Sequence, residues 1–306
     1  MFIRERGTAP DVPRQHLIPE PGARQASEET WSVTRYHACR QARADMIAQA
    51  CTDLLDRLGR SESRYAREGE LSMEPAPDFI IRCPREGCTA HYRVRRYASG
   101  NTLGARVWTD GRIAAPMWPE EPEITRCDAC GAYFWLDQAP KVAVAEPIVE
   151  DYDAEGRRVG RDAGEWDVPD VRFLSPREHL EALASGDLCA TPEQERRLRW
   201  LLWWADNDRY RQDEPLVAAR SSGDWLDEEQ VRKNRLRLYD LLDERQPVQR
   251  LAKAEPARQL GWFAHARELL DWPWLDEHRE FAERIRQLAE AGDPAVREVT
   301  RPPRRA

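Results

Sequence analysis

Four cysteines in two close pairs form the clearest chemical pattern in the sequence. Cys83 and Cys88 make the first pair, and Cys127 and Cys130 make the second. Thiolate sulfur is a preferred ligand of structural zinc, which takes four ligands in a tetrahedral arrangement. The pattern therefore predicts a structural Zn²⁺ site in which sulfur fills all four positions and none is left for a catalytic water.

The spacing of the first pair leaves the fourth ligand open. Cys127 and Cys130 have the C-x-x-C spacing and are followed by Gly131. In the first pair, by contrast, four residues separate Cys83 from Cys88. His91 is therefore an alternative to Cys88, because it follows closely and offers an imidazole nitrogen. Two further interpretations are four metal-free cysteines and a redox pair of Cys127 and Cys130. The residues after Gly131 look strand-like, whereas a thioredoxin-type thiolate lies at a helix N-terminus.

Short β-strands are predicted around the cysteines. Apolar or alternating stretches, separated by turn residues, predict strands at Asp78–Cys83, His91–Tyr97, Gly104–Trp108 and Ala132–Leu136. The chain between the two cysteine pairs is long enough for a hairpin that brings both pairs to one end. Residues 78–139 are therefore expected to form one small β unit around the metal.

This β unit resembles the zinc-ribbon family. The resemblance rests on Cys83, Cys88, Cys127, Cys130 and Gly131, and it covers only a small part of the 306 residues. It implies a small β platform that a metal ion holds together. It says little about function.

The rest of the chain is expected to be mainly helical. We expect a flexible tail at 1–27, a helix at 28–60, the zinc-ribbon unit at 78–139, an acidic linker at 140–172, a helical domain at 173–296 and a tail at 297–306. Residues 142–149 are a candidate edge strand within the linker. The predicted fold class is therefore α+β, with a small zinc-ribbon β unit followed by an all-α helical bundle.

Helix-start signals divide residues 173–296 into six predicted helices. Ser175 with Glu178, and Thr191 with Gln194, have the spacing of capping boxes, and each cap is followed by proline. Four more helices are expected to start near 227, 247, 263 and 276. The second helix has little polar face from Leu198 onward, so we expect it at the centre of the bundle.

Residues 261–266, with the sequence Gly-Trp-Phe-Ala-His-Ala, resemble the turn between the two helices of a tetratricopeptide repeat. The resemblance covers one repeat, at about 248–270, and implies a TPR-like hairpin of the kind that binds proteins through a groove. An ordinary helical hairpin is the alternative, since Pro256 lies in the first helix and no clear second copy follows. The two modules together resemble uncharacterised bacterial proteins that pair a zinc ribbon with such helices.

Basic and aromatic residues on neighbouring predicted strands form a candidate nucleic-acid contact. Arg93, Arg95, Arg96 and Trp108 combine the cationic and stacking groups that bind single-stranded nucleic acid. The positive and negative charges of the β unit balance, however. This balance favours an ordinary solvated strand face over a nucleic-acid surface.

No catalytic constellation is recognised in the sequence, and we assign no catalytic residue. Asp206 and Asp208 follow a hydrophobic helix and could act as acid, base or metal groups, but no partner motif accompanies them. Carboxylates in this position commonly end helices. Cys39, Cys51 and Cys189 lie far apart and form no further motif.

Composition narrows the expected compartment and source. The net charge of −8 disfavours a nucleic-acid coat or a membrane-surface protein. Only three of the 47 basic residues are lysines, a bias typical of GC-rich genomes, so we expect a bacterial source. The N-terminus lacks an apolar signal segment, and no apolar run is long enough to span a membrane. We therefore expect a cytoplasmic protein, in which close cysteine pairs bind metal more often than they form disulfides.

The leading hypothesis from the sequence is a non-enzymatic zinc-binding interaction or adaptor protein, whose helical domain binds a protein partner. It depends on the closed metal site, the helical hairpin and the lack of a recognised catalytic set. One alternative is a nucleic-acid-associated zinc-ribbon factor. The other is an enzyme with an unrecognised active site.

Overall fold

Most of the chain from residue 74 onward is described by the structure, which is a computed structural model. The described residues are 74–100, 104–117, 120–152, 158–162, 164–211, 213–214, 217 and 224–299. The predicted tail at 1–27 and the predicted helix at 28–60 lie outside them, as do all but three residues of the tail at 297–306.

Strands dominate the first half of the described chain and form four small antiparallel sheets. The strands are β1 (Glu74–Arg82), β2 (His91–Ser99), β3 (Arg106–Val107), β4 (Ile113–Ala114), β5 (Ile124–Arg126), β6 (Tyr133–Trp135), β7 (Lys141–Ala145), β8 (Val149–Tyr152) and β9 (Arg158–Asp162). The largest sheet has the order β2-β1-β7, and the other three are the hairpins β3-β4, β5-β6 and β8-β9. All pairings are antiparallel.

Strand β1 begins earlier than the strand predicted at Asp78–Cys83, and its first residues include Pro75 and Pro77. This segment pairs only with β2, through two register shifts, while β7 joins β1 from Asp78 onward. Proline cannot donate a ladder hydrogen bond, so it is tolerated at bulges and where one neighbour is missing. The irregular start of β1 provides both conditions.

The stretch expected as an acidic linker, 140–172, contains three strands. Strand β7 pairs with β1 at the sheet edge, as the candidate edge strand predicts, although it ends at Ala145. The hairpin β8-β9 is not predicted by the sequence. The end of the stretch is bonded to β2, because Arg93 N–H donates to the Pro169 carbonyl at 2.8 Å and Val171 N–H donates to the Arg93 carbonyl at 2.9 Å.

Six α-helices occupy the second half of the described residues, which confirms the α+β class. They are α1 (Pro176–Ser185), α2 (Pro192–Asn207), α3 (Glu228–Leu241), α4 (Pro247–Gln259), α5 (Phe263–Leu270) and α6 (Asp276–Glu290). The two predicted capping boxes are confirmed at Ser175 and Thr191, and Asp227 forms a third with Gln230. Among the described residues, no helix has both the length and the apolar character that crossing a membrane requires.

Helix α2 lies at the centre of the first helical core, as its sequence predicts. Leu198, Leu201, Trp203 and Trp204 are all buried in it. A second core is shared by α4, α5 and α6, and Ala266 at its centre is fully buried, which lets the helices of this hairpin approach closely. The hairpin expected from the repeat-like turn is therefore present, with α6 packed against both of its helices.

The β5-β6 hairpin contributes to two cores at once. Ile124 and Trp135 pack into the first helical core, and the Trp135 indole donates to the Leu188 carbonyl at 3.2 Å. Phe134 and Leu136 instead pack into a separate apolar cluster around the cysteines. Successive strand residues point to opposite faces, so this hairpin has one face on the helices and the other on the cysteine region.

A buried ion network connects the β3-β4 turn to the end of α2. The Asp110 carboxylate accepts from the Arg211 guanidinium at 2.7 Å and 2.9 Å and from the Asn207 amide at 2.9 Å. Arg211 also donates to Asp208 at 3.0 Å. The side chains of Asp110 and Arg211 are fully buried. The sequence predicts a turn at residues 109–111 but gives no sign that its carboxylate is buried.

Removing the Asp110 charge tests this network. Asp110→Asn removes the carboxylate charge that compensates the buried Arg211 guanidinium. We therefore expect the free energy of unfolding to fall by about 3 kcal/mol or more. Urea denaturation measures the change. The matched control is Asp224→Asn, which breaks an exposed pair with Arg177 and should cost about 1 kcal/mol or less. Equal changes in the two variants would refute the structural role of Asp110.

Candidate metal centre

The four paired cysteines lie in the turns of two different hairpins. Cys83 and Cys88 are in the β1-β2 turn, and Cys127 and Cys130 are in the β5-β6 turn. The sequence predicts one hairpin between the pairs; the structure instead places each pair at the tip of its own hairpin. The two tips meet, so that residues far apart in the chain form one cluster.

Both turns contain a glycine at the same distance from the first cysteine of the pair. Gly87 follows Cys83 and Gly131 follows Cys127, and their φ angles are 76° and 72°. Side chains other than glycine rarely adopt this left-handed conformation. Sequence analysis singles out Gly131 but not Gly87, although both glycines have the same offset from the first cysteine of their pair.

The sulfur atoms have the spacing of a tetrahedral site. The Sγ atoms of Cys83 and Cys130 are 3.7 Å apart, as are those of Cys88 and Cys127, and all four lie within 4.8 Å of one another. A tetrahedron with metal–sulfur distances of ~2.3 Å has sulfur–sulfur edges of about 3.8 Å. None of the four cysteines forms a disulfide, and together they could hold a metal ion.

Hydrogen-bond donors surround the sulfurs. The backbone N–H of Arg85 donates to the sulfur of Cys83, that of Ala90 to Cys88, and those of Ala129 and Cys130 to Cys127. The Tyr92 hydroxyl donates to the Cys127 sulfur at 3.3 Å and accepts from the Asp128 N–H at 2.8 Å. Donors that point at sulfur stabilise the thiolate over the thiol, so the site suits anionic ligands.

The ionisation of the thiols differs across the cluster. Burial raises the pKa of Cys83 to about 12. Burial also raises the pKa of Cys127, but the hydrogen bonds from Tyr92 and from the backbone N–H of Cys130 outweigh it and lower the pKa to about 6. These donors therefore favour the thiolate form of Cys127, the form that binds a cation.

The cluster is closed on its inner side and accessible on its outer side. Cys83 and Cys127 are buried among Ile81, Phe134 and other apolar residues. Cys88 and Cys130 are half-buried and line a shallow surface cleft of about 360 Å³, formed mostly by the two turns themselves. Metal ions can therefore reach the site from solvent, while the apolar side fixes the positions of the inner sulfurs.

His91, the alternative fourth ligand, is placed differently. Its ring lies 5.9 Å from the ring of Trp166. Within the described part of the chain, the group of metal-ligating side chains in mutual reach consists of the four cysteines. The geometry therefore favours Cys88 over His91.

The four residues of the candidate nucleic-acid contact do not form one exposed surface. Arg93 is fully buried and pairs with Asp78 at 2.8 Å, and Trp108 is also buried. Arg95 pairs with Asp170, while the Arg96 guanidinium stacks on the Phe79 ring. In this structure Arg93 and Trp108 have structural roles, because their side chains are enclosed by the fold.

Asp208 and His179 line one small cavity, and an acid–base site of an enzyme would need such a carboxylate and histidine in the same cleft. The cavity has about 40 Å³, enough for a few water molecules and far less than the several hundred Å³ of typical ligand pockets. Burial lowers the pKa of His179 to about 4, and its Nδ1 lies 2.9 Å from the Ser175 carbonyl. Asp208 is paired with Arg211 and Asp206 with Arg209. These contacts fit a structural role.

Metal binding is the direct test of the cluster. Purified protein dialysed against divalent metal should bind about one ion per chain, measured by elemental analysis. Cys130→Ser removes one of four sulfurs and should lower the affinity by at least about tenfold. Cys189→Ser is the control, since Cys189 lies outside the cluster, and it should bind as wild type does. Equal metal content in both variants at limiting metal would refute the site.

Tyr92 is a residue that the sequence did not suggest for the site. Tyr92→Phe deletes the hydroxyl that bonds Cys127, and we expect metal affinity to fall by about tenfold, as for other residues that orient metal ligands. Competition with a chromophoric chelator measures this change. Tyr133→Phe is the matched control, because its hydroxyl donates to Glu181. If both variants keep the metal affinity of the wild type, the proposed role of Tyr92 in orienting Cys127 is refuted.

Comparison of the chain with protein-family models, with curated proteins and with solved structures finds no match. The resemblances to a zinc ribbon and to a tetratricopeptide repeat therefore depend on the residues and geometry described above.

Proposed function

We propose that the four cysteines bind Zn²⁺ as a structural centre and that the protein is a non-enzymatic interaction protein. The observation that carries the proposal is the approach of four sulfurs from two hairpins to within 4.8 Å. Tetrahedral thiolate sites are typical of zinc or iron–sulfur centres, and four sulfurs leave no position for a reacting water on zinc. The metal would then stabilise the β unit instead of catalysing a reaction.

A set of aromatic and basic side chains around the α4-α5 hairpin, including one residue of α3, supports a protein-binding role. We call Tyr239, Arg250, Trp262, His265 and Trp272 the hairpin strip. Trp262 packs edge-on against Tyr239, with ring centroids 5.2 Å apart, and the Tyr239 hydroxyl lies 2.6 Å from His265 Nε2. Further along, Arg250 lies over the Trp272 ring at 4.9 Å.

The composition and exposure of the hairpin strip resemble those of interface hot spots. Trp262 is 36% exposed and Trp272 is 38% exposed, although both are large apolar side chains. Tryptophan, tyrosine and arginine are enriched among the residues that dominate protein–protein binding energies. Except for Tyr239, which lies on α3, the strip belongs to the hairpin for which the repeat-like turn predicts a binding groove.

The alternative functions have less support. A nucleic-acid role loses two of its four assigned residues, because Arg93 and Trp108 are buried. A catalytic role for Asp208 with His179 would require a larger cleft than the cavity of about 40 Å³ between them. Neither alternative has an observation that favours it over the interaction protein.

In-cell cross-linking followed by affinity purification tests the proposal. Zinc-loaded protein should retain a defined protein partner, and the double substitution Trp262→Ala and Trp272→Ala should weaken its binding by at least about tenfold. Tyr210→Ala is the control, since Tyr210 is 46% exposed but lies outside the hairpin strip. Circular dichroism checks that each variant is folded.

Two results would contradict the proposal. One is a partner that binds the strip variant and the wild type equally well. The other is a measured enzymatic turnover that depends on Asp208 and His179 but not on the hairpin strip.

A further inference from the structure

The sulfurs of the cysteine cluster form two close contacts, and each contact joins one turn to the other. The Sγ atoms of Cys88 and Cys127 are 3.7 Å apart, and so are those of Cys83 and Cys130. Cys83 and Cys88 belong to the β1-β2 turn, whereas Cys127 and Cys130 belong to the β5-β6 turn. Each contact therefore connects two separate hairpins.

Each close contact also combines an accessible sulfur with a buried one. Cys88 and Cys130 line the surface cleft, whereas Cys83 and Cys127 are buried. A small oxidant that enters from solvent would therefore meet the sulfur of Cys88 or Cys130 first. In both cases a buried sulfur of the other turn already lies in contact, and the two atoms need to approach to about 2 Å to form a disulfide. This is the arrangement of a reactive cysteine beside a resolving one.

We propose that hydrogen peroxide oxidises the cluster to two disulfides, Cys88–Cys127 and Cys83–Cys130, and that this reaction expels the metal ion. We call these bonds the cross-turn disulfides. The pairing follows from the positions of the sulfurs, while release of the ion rests on the metal binding proposed above. It differs from a redox pair of Cys127 and Cys130, which would lie within one turn.

One peroxide molecule balances the electrons of each disulfide. The Cys88 thiolate attacks a peroxide oxygen, so that an S–O bond forms, the O–O bond breaks and the leaving hydroxide takes up a proton. The Cys127 thiolate then attacks the oxidised sulfur of Cys88, the S–S bond forms, the S–O bond breaks and a second hydroxide leaves as water. Two electrons pass from the two sulfurs to the peroxide. Cys130 and Cys83 react in the same way with a second peroxide, and the four sulfurs lose the thiolate charge that holds a cation.

The cross-turn disulfides would preserve the connection between the two hairpin tips. A bound ion joins these tips, and both proposed bonds join them again. Disulfides within the turns would leave the tips unconnected. Oxidation should therefore exchange one cross-link for another and keep the β unit folded, whereas removal of the ion under reducing conditions should loosen both turns.

Disulfide mapping of the full-length protein tests the pairing. Zinc-loaded protein and metal-free reduced protein are each treated with about two molar equivalents of hydrogen peroxide, and a chromophoric chelator records zinc release. Cleavage after Arg85 and before Asp128 separates all four cysteines, so mass spectrometry identifies each bond. We expect both cross-turn disulfides in both samples, with release of most of the zinc. Any other pairing, or the absence of disulfides, would overturn the proposal.

Removal of one accessible sulfur makes the test specific. Cys88→Ser should still form the Cys83–Cys130 disulfide, while Cys127 should remain a thiol that an alkylating reagent labels after denaturation. Cys189→Ser is the matched control, because Cys189 lies outside the cluster, and it should form both cross-turn disulfides. The pairing is wrong if Cys127–Cys130 is the main disulfide of Cys88→Ser.

Hydrogen exchange tests whether the tips stay connected. The amides of the two turns should exchange at least about tenfold more slowly in the oxidised protein than in the metal-free reduced protein. Equal exchange in the two forms would contradict the proposed cross-links. A reduced protein that binds no zinc would instead overturn the proposed metal centre, and the disulfide map of that metal-free protein would still decide the pairing.

Discussion

Four sulfur atoms within 4.8 Å of one another set the main electrostatic constraint on this protein. Ionised thiolates at such distances repel strongly, so they must either keep protons or share a cation. The turn backbones already direct several N–H groups at the sulfurs. The apolar cluster of the β unit includes the cysteines themselves, so the fold of this unit depends on how their charge is balanced.

A second constraint lies where the β3-β4 turn meets the helices. Besides the Asp110–Arg211 pair, the Thr109 hydroxyl donates to Glu255 at 2.6 Å, and Glu255 is paired with the fully buried Arg258. Buried ion pairs contribute little net stability, but an unpaired member is very unfavourable. These buried pairs therefore add little to the free energy of folding. Their main effect is to make alternative packings of the turn, which would leave a charge unpaired, unfavourable.

The sequence predicts those features that depend on local chemistry. The capping boxes at Ser175 and Thr191 and the central place of α2 follow from residue types and spacing, because caps and apolar faces are local properties. The two cysteine pairs are equally recognisable, since metal ligands need particular residue types at short spacing. The conformation required of Gly131 also follows from its place in the turn.

Features that depend on contacts between distant residues are not predicted. From its sequence context, Arg93 is interpreted as a solvated strand residue. Its partners in the structure, the Asp78 carboxylate and the Trp166 carbonyl, are distant in sequence, so local patterns do not predict them. Asp110 has the appearance of an ordinary turn residue, although it is the buried partner of Arg211. The hairpin β8-β9 is missed because glycines and charges in that stretch predict a loop as readily as a short strand pair.

The β5-β6 hairpin ends in two of the cysteines, and its opposite faces belong to separate cores. Any displacement of the turn at Cys127 and Cys130 would reach Trp135 within the same short strand pair. Because Trp135 packs in one core with residues of α1 and α2, the positions of these two cysteines and the packing of the helices depend on each other.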